Sequence, residues 1–198
     1  MSLIKLEEKI INTFSPMWEF NDGAHRIEHF SEVYQTALEI NSKLKLGQDK
    51  KLLMFSAYFH DLFAWSRENH HLLSEEFIRG TCHELIVNNL NKEERKIVAG
   101  ACRRHRASNR ERFANLFESL FNSADRERPK SVEHMLNRAM RYRMDRTPGL
   151  SKAIMRSDSI LHLKEKYGHG GYASYPDLYL QVYGPELEEI RNQIAELK

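Results

Sequence analysis

The feature that most restricts this chain is how rarely its helical patterning is interrupted. Its 198 residues include 9 glycines and 5 prolines, and these cluster, so long segments run without a helix breaker. Within those segments apolar residues recur at helical spacing. Leu3 to Phe14 is apolar at 3, 4, 6, 10, 11 and 14. Ile27 to Leu46 carries a stripe of Ile27, Phe30, Val33, Tyr34, Ala37, Leu38 and Ile40, and Gly47 follows as a residue just past a helix end. Lys50 to Phe63 has a broader apolar face, as expected of a helix buried centrally. Leu72 to Leu90 reads as one further amphipathic helix. Asn91 and Glu94 then form a capping-box pattern opening a helix that runs to His105. Helices are also expected over 109–121, 131–144, 150–166 and from about 176 to the end, with Pro129 as a break and 167–176 as a glycine-rich loop. No repeat and no strand pair interrupts this series. The expectation is an all-α helical bundle of about eight or nine helices, forming a single domain over 1–198.

Composition narrows the function classes. Hydrophobic residues make up 41% and charged residues 29%, which fits a globular protein, and no apolar run approaches the ~20 residues of a membrane span. The charged N-terminal stretch lacks the apolar centre of a secretory signal, and two isolated cysteines make no disulfide framework, so the cytoplasm is the expected location. A net charge of +2 is too small to point to nucleic acid. Arginine is nonetheless concentrated at 103–106 and 137–146, where guanidinium groups could face phosphate or simply lie on solvated helix faces. Cys82 with His83 and Cys102 with His105 suit tetrahedral zinc poorly, because the first pair is adjacent; the thiols are expected to pack as small apolar groups. The loop "YGHGGY" lacks a phosphate-loop ending and reads as a plain turn, with a substrate-facing loop as the alternative.

Three fragments carry chemistry. "DGAHRIEHFSEV" sets His29 on a helix, "YFHDLF" supplies the doublet His60-Asp61 after an apolar helix, and "LFNSADRERP" supplies Asp125 near a helix end. In this order and at these distances, over about 22–126, they resemble the HD superfamily of metal-dependent phosphohydrolases. The resemblance implies that His29, His60, Asp61 and Asp125 hold a divalent ion (Mn, Mg, Fe, Ni or Zn), leaving positions for water and a phosphate oxygen. Helices over 131–198 would then shape the substrate side.

Some relatives carry further histidines for a second metal or the substrate phosphate, and the matching positions here are His70 and His105. His25, four residues before His29, is a further substrate-side candidate, as are Arg104 and Arg126, with Arg138 and Arg141 behind them. In one respect the chain departs from hydrolytic relatives. The Glu found three residues after the doublet is Ala64 here, which leaves the base to Asp61, Glu68 or Glu28. The implied activity is hydrolysis of a phosphate mono- or diester, a nucleotide above all, by metal-activated water. The alternative is a metal-containing module that binds a nucleotide, or less favourably a nucleic acid, without hydrolysis.

Overall fold

Caps and apolar stripes together fix where the helices start and stop. The computed structural model describes residues 1–21, 27–109 and 111–198, with the backbone alone at 145. Among them are ten helices and no strand: α1 Leu3–Trp18, α2 Ile27–Lys43, α3 Lys50–Phe59, α4 His70–Gly80, α5 Glu84–Val87, α6 Lys92–Arg104, α7 Leu116–Ala124, α8 Val132–Arg146, α9 Lys152–Tyr167 and α10 Asp177–Glu196. Asp49 caps α3 by accepting from the Lys51 and Leu52 amides. The capping box at Asn91 and Glu94 forms as its sequence predicts.

The residues fall into two compact units. One comprises 1–127 and 176–182, the other 128–175 and 183–198. In the first, α3 is the centre. Every residue from Leu52 to Phe59 is buried, because α1, α2, α6 and α7 all pack against it. α1 contributes Leu6, Ile10, Phe14 and Trp18, and Phe14 meets Phe59 edge-on at 4.7 Å between ring centres. Removing a ring such as Phe59 would cost about 3–5 kcal/mol. In the second unit, Val132 and Leu136 of α8, Ile160 and Leu163 of α9, and Ile190 and Ile194 of α10 share one apolar cluster.

The tenth helix arises where the sequence suggests continuity. Leu72 to Leu90 is not one helix: α4 stops at Gly80 and Thr81 turns extended, at φ −62° and ψ 141°. The physical reason lies elsewhere in the chain. The Arg95 guanidinium of α6 donates to the carbonyls of Ile78, Arg79 and Thr81, satisfying the end of α4 from outside. α3 likewise ends at Phe59 rather than Phe63, and α7 begins only at Leu116, after the Asn115 cap. The 167–176 loop behaves as a turn. Amides of Gly168, Tyr172 and Ala173 close onto carbonyls of the last turns of α9, and a side chain at Gly168 or Gly171 would run into that backbone at 2.6 Å.

Candidate metal centre

Three helices of the first unit end at one place. The residues at their C-terminal caps are His60 on α3, His105 on α6 and Asp125 on α7. Helix C-termini carry the negative end of the backbone dipole, so their convergence favours a cation. Asp61 follows His60 directly, His29 comes from α2, and His70 opens α4. His60 is fully buried, with its ring edge-on to Phe30 and Phe121 at 5.7 and 5.5 Å.

The polar atoms form two adjoining groups. In the first, His60 Nε2 lies 3.2 Å from His29 Nε2, 3.4 Å from Asp61 Oδ2 and 3.2 Å from Asp125 Oδ1. His29 Nε2 stands 3.8 Å from each of those two carboxylate oxygens. In the second, His70 Nε2 and His105 Nε2 are 3.3 Å apart, and each is 3.2 Å from Asp61 Oδ1. Ligand atoms about 2.0–2.2 Å from one ion stand about 3–3.5 Å from each other, so both groups have the spacing of a coordination shell. Asp61 offers one oxygen to each.

The opposite ring nitrogens explain why the Nε2 atoms face inward. His60 Nδ1 donates to the Ala57 carbonyl at 2.8 Å, His105 Nδ1 to Cys102 at 2.6 Å, and His70 Nδ1 to Arg67 at 3.0 Å. Each acceptor is the carbonyl three residues earlier. A carbonyl only accepts, so each Nδ1 carries hydrogen and each Nε2 is left with a lone pair in its neutral form. His29 differs: its Nδ1 sits 2.7 Å from Glu127 Oε1. Two pairs of imidazole lone pairs facing at 3.2–3.3 Å repel unless a proton or a metal ion lies between them. The donor set therefore fits a divalent ion.

Electrostatics point the same way. Burial opposes a charged His60, but the Asp61 and Asp125 carboxylates outweigh it and push its pKa up to about 10. Burial would raise both carboxyls, yet the facing His60 and His105 hold Asp61 well below the usual range, and His60 likewise lowers Asp125. The site keeps its carboxylates ionised and retains positive charge among them. At His70 burial dominates, lowering its pKa to about 4.

No protein-family model matches the sequence, and no curated protein matches it. Among solved structures, the chain is similar to the crystal structure of a predicted HD superfamily hydrolase from an uncultured Thermotogales bacterium. The match has a TM-score of 0.54 and 21% identity, and covers 99% of both chains. The fold is that of an HD-domain protein. The all-α architecture expected from the sequence is therefore the observed one.

Within this HD-type fold, the first unit brings His29, His60, Asp61, Asp125, His70 and His105 together. Groups of His29, His60 and Asp125, and of His60, Asp61 and His105, each have the spacing to hold a metal ion. Arg126 lies beside them, with Nη1 3.4 Å from Asp125 Oδ2 and Nη2 3.2 Å from Asn122 Oδ1. Arg104 is taken up by carboxylates, at 3.2 Å from Glu118 and 3.3 Å from Glu111. Glu68 and Glu28 are exposed, Glu68 on the turn ahead of α4, and Ala64 is buried. His25 lies outside the described residues, and Arg138 and Arg141 belong to the second unit. Cys82 is exposed and Cys102 buried, its thiol pushed up by burial, in line with packing rather than metal binding.

Four residues were not singled out individually by the sequence. Glu127 holds His29. Asn122 donates its amide to the carbonyls of Arg104, His105 and Arg106, tying the end of α6 to α7. Arg106 reaches the Glu68 carbonyl at 3.0 Å and adds its charge to those that lower the His71 pKa after burial. Asn21, which is buried, donates to the Asp61 carbonyl and accepts from the Trp65 amide, bracing the turn that presents the doublet. No described helix is long and apolar enough to cross a membrane.

Proposed function

We propose that this protein is a metal-dependent phosphohydrolase acting on a phosphate mono- or diester, with nucleotides as the substrate class. The observation that carries this reading is the inward-facing set of Nε2 atoms paired at 3.2 and 3.3 Å around the two oxygens of Asp61. His29, His60, Asp61 and Asp125 would hold one divalent ion, and His70, His105 and the second Asp61 oxygen another. Such ions supply Lewis-acid activation of water and offset charge on a phosphoryl group. The chain's own residues do the rest. Asp61 joins the two halves and fixes their separation. The three backbone carbonyls hold the His60, His70 and His105 rings with Nε2 inward. Arg126, beside Asp125, binds a substrate phosphate oxygen, and Arg106 does so from the His70 side. With Ala64 in place of a carboxylate and both Asp61 oxygens turned to the ions, the water proton would leave by way of the Asp125 carboxylate or a substrate oxygen.

The similarity to the predicted HD superfamily hydrolase described above supports the same class. Metal analysis of the purified protein, followed by a panel of nucleotide and other phosphate esters, tests the proposal. The expected result is bound divalent metal and phosphate release by wild type but not by Asp61→Ala. Release of the same product at the same rate by both proteins would overturn it. Nucleotide binding by metal-loaded protein without turnover would instead favour the non-hydrolytic module.

A further inference from the structure

Among the described residues four imidazoles face this centre, and three are held in the same local way, by the carbonyl three residues earlier in their own segment. His29 is held by a carboxylate 98 residues away. Glu127 reaches it from a backbone position with φ +56°, two residues past the cap of α7. The left-handed region is costly for a residue with a side chain, and chains closing a helix usually place glycine there. Its amide donates to the Ala124 carbonyl at 3.0 Å, so a glycine would serve the turn equally well. Glu127 thus occupies a position where its own backbone is disfavoured and where its side chain makes a 2.7 Å charge-assisted bond.

We propose that Glu127 is the positioning residue of the first metal half: its carboxylate keeps the His29 hydrogen on Nδ1 and turns Nε2 to the ion. The inference rests on the metal-centre reading above. A carboxylate behind a ligating imidazole contributes to affinity without touching the ion. Glu127 lies at a chain turn with its side chain 17% exposed, so the melting temperature of each metal-free variant reports whether its substitution disturbs the fold.

The test separates metal affinity from stability. Glu127→Ala, Glu127→Gly and Glu127→Gln are compared with wild type by chelator competition for Mn²⁺ or Zn²⁺ and by thermal unfolding of the metal-free proteins. Glu127→Ala and Glu127→Gly are both expected to bind the first ion about 10–100-fold more weakly. Glu127→Gly, relieved of the left-handed strain, melts about 2–4 °C above Glu127→Ala. Glu127→Gln keeps an accepting oxygen without the charge and falls between wild type and Glu127→Ala in affinity. In ¹⁵N spectra, the His29 tautomer is single in wild type and mixed in Glu127→Ala. Wild-type affinity in Glu127→Gly, or affinity that simply tracks melting temperature across the series, would overturn the proposal. Absence of metal from wild type itself would overturn the underlying reading instead, and this inference with it.

Discussion

The two halves of the centre are built from the same kinds of side chain, yet they differ in charge and in what holds them. The His29–His60 half faces two carboxylates directly, Asp61 and Asp125, and has Glu127 behind it. Among the described residues, the His70–His105 half faces Asp61 as its carboxylate, and its rings are anchored on neutral backbone carbonyls. More negative charge at similar spacing means stronger attraction for a cation in a poorly hydrated site. The first half is expected to hold its ion tightly and the second to exchange it more readily.

The largest effect should come from erasing the shared element. Asp61→Ala removes an oxygen from each half. Losing several kcal/mol of charge stabilisation lowers phosphate-ester turnover by on the order of 10³-fold, and no ion should remain by elemental analysis. Next come substitutions confined to one half. His29→Ala should abolish the tighter binding phase in a metal titration, whereas His70→Ala should remove only the weaker one. Each should exceed the 10–100-fold loss typical of an outer partner. If His70→Ala removed the tighter phase, the ranking of the halves would be reversed.

A smaller contrast appears in the metal-free protein as pH changes. Folded His60 titrates at about 10, above its ordinary value of 6.5, so its stabilisation is complete below 6.5 and is lost as pH rises through about 10. Folded His70 titrates at about 4, so between 6.5 and 4 the unfolded chain takes up a proton that the folded chain refuses, and stability falls as pH drops. The lowered Asp61 and Asp125 pKa values add a further loss below 3.8. Melting temperature of chelator-treated protein should therefore peak near pH 6.5. Metal should abolish the alkaline decline, since the ion takes the place of the His60 proton. A flat profile from pH 6.5 to 10 without metal would sink this account. The smallest effect expected is from Asn122→Ala. It frees three carbonyls at the end of α6 and should cost about 1–3 kcal/mol in denaturant unfolding, weakening the His105 side first.

Much of the fold is legible because helical periodicity and caps are local properties. The Asn91–Glu94 box and the Phe30–Val33–Tyr34–Ala37 stripe need only neighbours in sequence to be read. The break after Gly80 was not legible, since its cause is a guanidinium from α6, and without that donor the apolar pattern of 72–90 reads as continuous. The candidate site divides in the same manner. His29, His60, Asp61 and Asp125 stand out through the resemblance of their flanking fragments to the HD superfamily, and His70 and His105 through the same resemblance. Arg104 and Arg126 looked alike as sequence, yet one is occupied by Glu111 and Glu118 while the other lies against Asp125.

By itself, then, the sequence determined that this chain is helical and where most helices begin, because these follow from residue type and spacing of a few positions; the imidazoles and carboxylates that could serve a metal it offered only through resemblance to a known family. Only the tertiary structure decided that three helix ends converge, that Asp61 turns one oxygen to each pair of imidazoles, and that Glu127 stands behind His29. Those facts depend on angles and distances between segments up to 98 residues apart. Such distances are set by packing around α3, and no local pattern encodes them.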